Sequence, residues 1–299
     1  MILVVGATGA LGGEICRQLT AEGMPVRALV RATSDPGRAE ALRGLGAEVV
    51  DGDLGDLESL ERACDGIRTV VSTATAIHSA QRGDSLAATD LEGQIRLSDA
   101  ARAAGVGRFE YVSYAGTIEV DSPLHRAKRG VERHLRGSGV PYTILRPSFF
   151  MEVWLSPAVG FDWPAGKVTV FGSGENPVSF ISAADVARFA VLCLDDASAE
   201  NAVIELGGPA AVTPLDAVRE FEKASGRKIE VARVSEASLR ERWEGAADPM
   251  SKTFAALQLS FARGGPIDME STLERWPVSL TSVRDYAARV VRARGSISS

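Results

Sequence analysis

Two sets of residues in this chain have the types and spacing to do chemistry. Gly6, Gly9 and Gly12 stand three apart in VVGATGALGG, after an apolar run and before an amphipathic one. In that setting the first glycine permits a tight turn out of a strand. The second lets backbone N–H groups approach an anion, and the third lets a helix pack closely on the sheet. The helix N-terminus then presents its positive dipole end to the same anion. With Thr8, Ala10 and Leu11 between them, the glycines make a loop suited to a dinucleotide pyrophosphate; an ordinary glycine-rich turn is the plainer alternative. The second set surrounds Lys128 in DSPLHRAKRG. One helical turn earlier stands Leu124, an alkyl chain where a proton donor would serve. His125 shares a side of that helix with Lys128, and its imidazole suits proton transfer. Lys128 is either an active-site cation or a surface charge paired with Glu132 one turn on.

Arg31 closes the second apolar run, RALVRATSD, nineteen residues after Gly12 (31 − 12). NAD-selective dinucleotide folds carry an acid here to grip the ribose 2′-hydroxyl. A guanidinium cannot accept from that hydroxyl, and it binds a 2′-phosphate well. NADP(H) is therefore expected in preference to NAD(H), with Thr33, Ser34 and Arg38 available to assist. A solvated strand-end charge is the alternative. Asp53 and Leu54 in DGDLGD suit an adenine amino group and ring, while Asp53 and Asp56 equally suit a turn and a helix start. Ser72, Thr73 and Ala74 in STATA are small enough to let a cofactor lie across strand ends. Phe149, Phe150, Met151 and Trp154 in RPSFFMEVW can stack on a flat apolar substrate or form a hydrophobic seam. No metal site is expected: His125 and His134 are half a turn out of phase on a helix, and His78 has no Cys or carboxylate cluster beside it.

These residues need a frame. The runs ILVV, VRALV, AEVVDGD, RTVVSTA, RFEYVSY and YTILRP alternate with helical patterns. Continuous rather than alternating apolar strands mean a parallel sheet covered on both faces. After Pro147 the rhythm loosens, then ADVARFAVLCL predicts a helix and NAVIEL a strand that rejoins the sheet. From Thr213 onward the pattern is mostly helical. The expected fold is α/β, a Rossmann-type doubly wound parallel sheet with a smaller, mainly helical C-terminal cap. Residues 1–150 form the nucleotide domain with 180–208 returning to it, and 151–179 and 209–299 form the substrate side. FGSGENPVSFIS is expected as a lid loop, and the tail GSISS as disordered.

Composition narrows the classes. Lys plus Arg is 33 against 39 Asp plus Glu, a net charge of −6. That balance gives no general attraction to nucleic acid or anionic lipid, so any phosphate must be held locally. The opening apolar run ends at glycine after five residues, too short for a leader or a membrane span. Three scattered cysteines do not make a disulfide framework. A cytoplasmic protein acting on a small molecule is expected, with no nucleic-acid or membrane partner; a homo-oligomer is compatible with the chain.

GATGALGG, GDLGD, AARAAGV, YVSYAG, HRAKRGVERHLRGSGVPYTILRP and ISAADVA together resemble the atypical short-chain dehydrogenase/reductase superfamily, nearest its NmrA-like branch. That branch includes NAD(P)H quinone oxidoreductases and triphenylmethane-dye reductases. The resemblance covers nearly the whole chain and thins beyond Ala187. It implies that the first-turn glycines and Arg31 bind NADP(H), and that Asp53, Leu54 and Ser72 to Ala74 line the adenosine and ribose. It places Ser113 at the superfamily's active-site serine and Lys128 at the lysine of its Tyr-x-x-x-Lys pair. Leu124 stands at the tyrosine position, a departure that removes the usual proton relay. Lys128, Ser113 and His125 are then the catalytic candidates, with Tyr114 beside the substrate. The implied activity is NADPH-dependent hydride transfer to a small, flat, electron-poor acceptor such as a quinone, dye or enone. Two alternatives stay open: a non-catalytic NADP(H) sensor, and an extended-type sugar-nucleotide dehydrogenase or epimerase, which DLEGQ at 90–94 resembles and Leu124 disfavours.

Overall fold

Five short runs of Val, Ile, Leu, Phe and Tyr are too apolar to face water on either side, and each becomes a strand of one sheet. In the computed structural model, which describes residues 1–77 and 83–297, these are β1 (Ile2–Val5), β2 (Val26–Val30), β4 (Thr69–Ser72), β5 (Arg108–Val112) and β6 (Tyr142–Pro147). A less buried edge strand, β3 (Glu48–Asp51), and β9 (Ala202–Leu206) complete it. The strand order is β3-β2-β1-β4-β5-β6-β9. The pairs β3–β2, β2–β1, β1–β4, β4–β5 and β5–β6 all run parallel. The order reverses between β1 and β4, and ligands of such sheets collect outside the carboxyl ends at that point. His78 lies outside the described residues.

Helices α1 (Ala10–Ala21), α2 (Pro36–Gly44), α3 (Leu57–Cys64), α4 (Gln94–Ala103) and α5 (Pro123–Ser138) connect these strands. Each buries an apolar stripe at helical spacing: Ile15, Cys16 and Leu19 on α1, and Leu124, Ala127, Val131 and Leu135 on α5. Leu60, Leu97, Val131 and Leu135 meet Leu3, Val70, Phe109 and Tyr111 from the strands in one core. The long helix expected around DLEGQIRLSDAARAAG begins earlier, as a π-helical turn over Leu86–Gly93 that runs into α4. Ser85 caps that turn through Ala88 N–H at 3.0 Å, and its wider winding turns Asp90 fully inward.

The chain divides into two compact units: residues 1–114, 123–146 and 186–204, and residues 115–122, 147–185 and 205–299. The second unit holds α6 (Met151–Trp154), β7 (Phe161–Asp162), β8 (Lys167–Phe171), all of α8 (Pro214–Ser225) through α12 (Val283–Ile297), and β10 (Glu230–Val234). Its three-stranded sheet, in the order β10-β8-β7, was not legible as such. EVARV of β10 is mostly exposed, so it lacks the apolar density that marks the other strands. The expected lid loop is also different. Phe171 closes β8, and Val178, Phe180 and Ile181 are fully buried, because Val178 pairs with Val212 and Asn176 donates to the Ala262 carbonyl. The tail expected as disordered is helical from Gly295 to Ile297, the end of α12, and 298–299 lie outside the described residues. Among the described residues no helix is long and apolar enough to cross a membrane.

Candidate functional site

The loop after β1 is built by backbone contact. Gly6 sits at φ 86°, in the left-handed region, and a Cβ there would meet Thr73 Oγ1 at 2.6 Å. Gly9 N–H donates to the Gly6 carbonyl at 2.9 Å, and Gly13 N–H to the Gly9 carbonyl at 2.9 Å. A Cβ on Gly12 would fall 2.2 Å from the Gly6 oxygen, so the helix can approach the strand only with glycine there. Gly9 precedes α1 with no side chain capping the helix, and Gly9 and Ala10 are exposed. The first-turn N–H groups therefore point their donors at open space, and a dinucleotide pyrophosphate fits that cradle. Thr8 and Leu11 flank it, half-buried.

Neighbouring candidates fix the floor and rim. Ser72 Oγ donates to Gln94 Oε1 at 2.7 Å, and Gln94 Nε2 donates to the Ala74 carbonyl at 3.1 Å. Thr73 Oγ1 donates to the Val5 carbonyl at 3.3 Å. So Ser72 to Ala74 form a rigid segment under Gly6. Asp53 Oδ1 accepts from Gly55 N–H at 2.7 Å and its carbonyl from Asp56 N–H, which is the turn; Asp56 makes no side-chain cap to α3. Leu54 is buried in the core. Arg38 Nη1 donates to the Thr8 carbonyl at 2.9 Å, tying it to the loop. Arg31 Nη1 lies 2.7 and 2.9 Å from the two Asp84 carboxylate oxygens.

Lys128 is not a surface charge and does not pair with Glu132. It is buried, 5% exposed, because it lies close to the apolar stripe of α5 and is drawn under with it. A buried ammonium needs an anion and acceptors. Asp90 stands 3.6 Å away, the Val112 carbonyl accepts at 3.3 Å, and the Tyr111 ring centroid lies at 5.0 Å. Burial lowers the Lys128 pKa from its ordinary value, and the Asp90 carboxylate opposes that shift. Asp90 also accepts from Ala76 N–H at 2.8 Å, so one carboxylate joins the π turn, the end of β4 and α5. Asp90 had no signal in the sequence as a partner of Lys128, 38 residues away.

Glu132 gathers the other charges. Ser113 Oγ donates to it at 2.7 Å and Arg146 Nε at 3.0 Å, with Arg129 in direct contact. Burial alone would raise this carboxyl. Hydrogen bonds from Arg146 and Ser113 and the nearby guanidinium charges outweigh burial and hold its pKa below the ordinary value. The Ser113 hydroxyl proton is thereby committed to Glu132. Arg129 also donates to the Tyr114 carbonyl at 3.0 Å and lies 5.1 Å over the Tyr114 ring, which has the His125 ring 6.0 Å away. The structure thus brings Tyr114 and His125 together and sets Ser113 in the Glu132 cluster, next in the chain to Val112, whose carbonyl accepts from Lys128. His134 bonds Asp99 at 3.0 Å, and among the described residues no His, Cys, Asp or Glu group could hold a metal.

In the second unit, Phe149 and Met151 are buried at 3% and 0%, and Phe150 and Trp154 are half-buried. Trp154 stacks on Phe261 at 4.4 Å, and Phe149 meets both rings edge-on at 4.8 and 5.1 Å. Phe149 and Trp154 thus form one aromatic cluster with Phe261 inside the second unit. Asp185 accepts from Thr281 N–H at 2.8 Å in the first turn of α7 (Ala183–Cys193), a structural bond.

The family model described as "NmrA-like family" matches residues 1–287. The isoflavone reductase homolog IRL of Zea mays is 31% identical over 313 aligned residues, covering 96% of this chain and 97% of that protein. A (4-alkanoyl-5-oxo-2,5-dihydrofuran-3-yl)methyl phosphate reductase of Streptomyces griseus subsp. griseus is 35% identical, covering 77% and 75%. Among solved structures, the Escherichia coli NADPH-dependent quinone oxidoreductase in complex with NADPH superposes with a TM-score of 0.77 at 26% identity, covering 97% of this chain and 99% of that one.

Proposed function

The chain belongs to the NmrA-like family, and on that premise we propose that this NAD(P)H-dependent reductase binds NADP(H) and reduces a small, flat, electron-poor acceptor of quinone, dye or enone type. The observation that carries it is the glycine cradle in front of an uncapped helix N-terminus, with a guanidinium at the end of β2. Gly6, Thr8, Gly9, Ala10, Leu11 and Gly12 would hold the pyrophosphate and Arg31 the 2′-phosphate. Asp53, Leu54 and Ser72 to Ala74 would line the adenosine and ribose. When bound, the nicotinamide cofactor supplies a hydride. A relative is named as a quinone oxidoreductase and another as a dihydrofuranone phosphate reductase, which supports a conjugated carbonyl as acceptor.

Lys128 is the cation that would hold ribose hydroxyls and favour negative charge developing nearby, and Asp90 keeps it in place. Leu124 is buried and gives no proton, which disfavours ordinary alcohol dehydrogenation. A quinone or enone can take its proton from water, or from His125 or Tyr114. Residues 151–179 and 209–299 are assigned to the substrate side, with Phe150 as a contact. A cytoplasmic protein with a small-molecule substrate fits this assignment.

Following NADPH oxidation with a panel of quinones, dyes and enones tests the proposal. Turnover on at least one acceptor, with kcat reduced in Lys128→Ala, is the expected result. Tight NADP(H) binding without turnover on any of them would make the chain a sensor.

A further inference from the structure

The guanidinium that should receive the 2′-phosphate is already matched to an anion. Arg31 Nη1 lies 2.7 Å from Asp84 Oδ1 and 2.9 Å from Oδ2. The Asp84 side chain is 14% exposed and that of Arg31 32%, so the contact is only partly screened by water. Asp84 is not placed by chance. It directly precedes Ser85, whose side chain caps the π-helical turn through Ala88 N–H, so the helix start fixes the carboxylate beside the end of β2. The other cation on this rim, Arg38, is committed to the Thr8 carbonyl.

We propose that Asp84 is a built-in competitor for the 2′-phosphate subsite at Arg31, and that it sets how strongly this chain prefers NADP(H) to NAD(H). This rests on the assignment of Arg31 to the 2′-phosphate made above. A guanidinium satisfied by a carboxylate in the unliganded protein must release or share it when a phosphate arrives. Two anions on one guanidinium repel, so part of the attraction between Arg31 and the phosphate is lost. A ligand without the 2′-phosphate leaves the Arg31–Asp84 pair intact and loses nothing. Asp84 therefore narrows the gap between the two cofactors, which would be widest with Arg31 alone.

Calorimetric titration of 2′,5′-ADP, 5′-AMP, NADPH and NADH against wild type, Asp84→Asn, Asp84→Ala and Arg31→Ala tests it, with unfolding temperature confirming that each variant folds. Both Asp84 variants should tighten 2′,5′-ADP and NADPH by about two- to fivefold, the range of a partly exposed ion pair, and leave 5′-AMP and NADH unchanged. Weakened 2′,5′-ADP binding in both variants would overturn competition and make Asp84 a support for Arg31. Loss of NADH affinity would also overturn it, making Asp84 a ribose ligand, as would equal affinities in wild type and both Asp84 variants. If wild type binds no nicotinamide nucleotide, or Arg31→Ala leaves NADPH affinity intact, the cofactor assignment itself fails, a result distinct from any outcome at Asp84.

Discussion

The loop after β1 and the end of β5 over α5 both sit at carboxyl ends of the same sheet, and they are made in different ways. The loop is backbone against backbone: Gly6 against Thr73 and Ala74, and Gly12 against Gly6. Its donors are main-chain N–H groups that nearly any sequence would offer if the chain could be bent that way. The end of β5 is charge against charge: Lys128 on Asp90, and Glu132 among Ser113, Arg129 and Arg146. A backbone site tolerates no added atom but is indifferent to pH. A site of buried charges tolerates isosteric change but fails when one partner is removed. The two regions should therefore break under different substitutions.

Gly12→Ala should cost the most. Its methyl would stand 2.2 Å from the Gly6 carbonyl oxygen, main chain in the loop that closes β1, so helix and loop must separate. We expect a loss of at least about 4 kcal/mol in denaturant unfolding. Should the variant fold, turnover with NADPH should drop by about 100-fold, since an ångström of displacement is enough for that. A Gly12→Ala protein with unchanged unfolding midpoint would show that the close approach is not what shapes the loop.

Asp90→Ala should cost somewhat less, about 3 kcal/mol, because it leaves the buried Lys128 ammonium without its carboxylate and Ala76 N–H without its acceptor. Lys128→Met in the same chain should recover most of that loss. Non-recovery would place the damage at Ala76 and the end of β4 instead, and would separate the two functions of Asp90.

The same contrast explains what was legible in the chain. The glycine spacing, the five buried parallel strands and the apolar stripe of α5 are local patterns with local causes, and they read directly. Arg31 drew a reading because its place in the motif is fixed by distance from Gly12. Asp90, Glu132, Arg146 and Asp84 were not found, because their meaning comes from partners 14 to 53 residues away. Lys128 was half legible: its type and place pointed to a site, while its angle near the apolar stripe gave no measure of its burial. β10 stayed hidden for a different reason, since a mostly exposed strand has no apolar run to announce it.

Glu110 sharpens the comparison from the opposite side. It lies fully buried on β5, two residues before Val112, and among the described residues neither carboxylate oxygen has a hydrogen-bond partner. Burial raises its pKa well above the ordinary value, with the Arg108 charge opposing. The folded state thus holds a proton that the unfolded state releases. Its contribution is least unfavourable below the unfolded carboxyl pKa and grows worse as pH rises toward the folded value. Glu110→Leu should raise stability by about 1–3 kcal/mol, more at pH 8 than at pH 4. A gain that is flat with pH, or larger in acid, would mean that Glu110 is ionised in the fold and held by charge as Glu132 is.

Asp53 offers the smallest effect and a direct test of the loop's rim. Its carboxylate accepts Gly55 N–H at 2.7 Å in the turn that leads to α3. If the turn is its whole role, Asp53→Ala should lower stability by less than about 1 kcal/mol and leave NADPH affinity where it was. If the other carboxylate oxygen also takes the adenine amino group, affinity should fall several-fold for NADPH and 5′-AMP alike. Asp53→Asn keeps a carbonyl oxygen for Gly55 N–H and leaves its NH2, a donor, toward the base. It should therefore restore the stability in either case, and leave the affinity lost if the adenine amino group needs an acceptor there. An affinity loss confined to NADPH would point past the adenine to the 2′-phosphate end, and so back to Arg31 and the carboxylate that shares it.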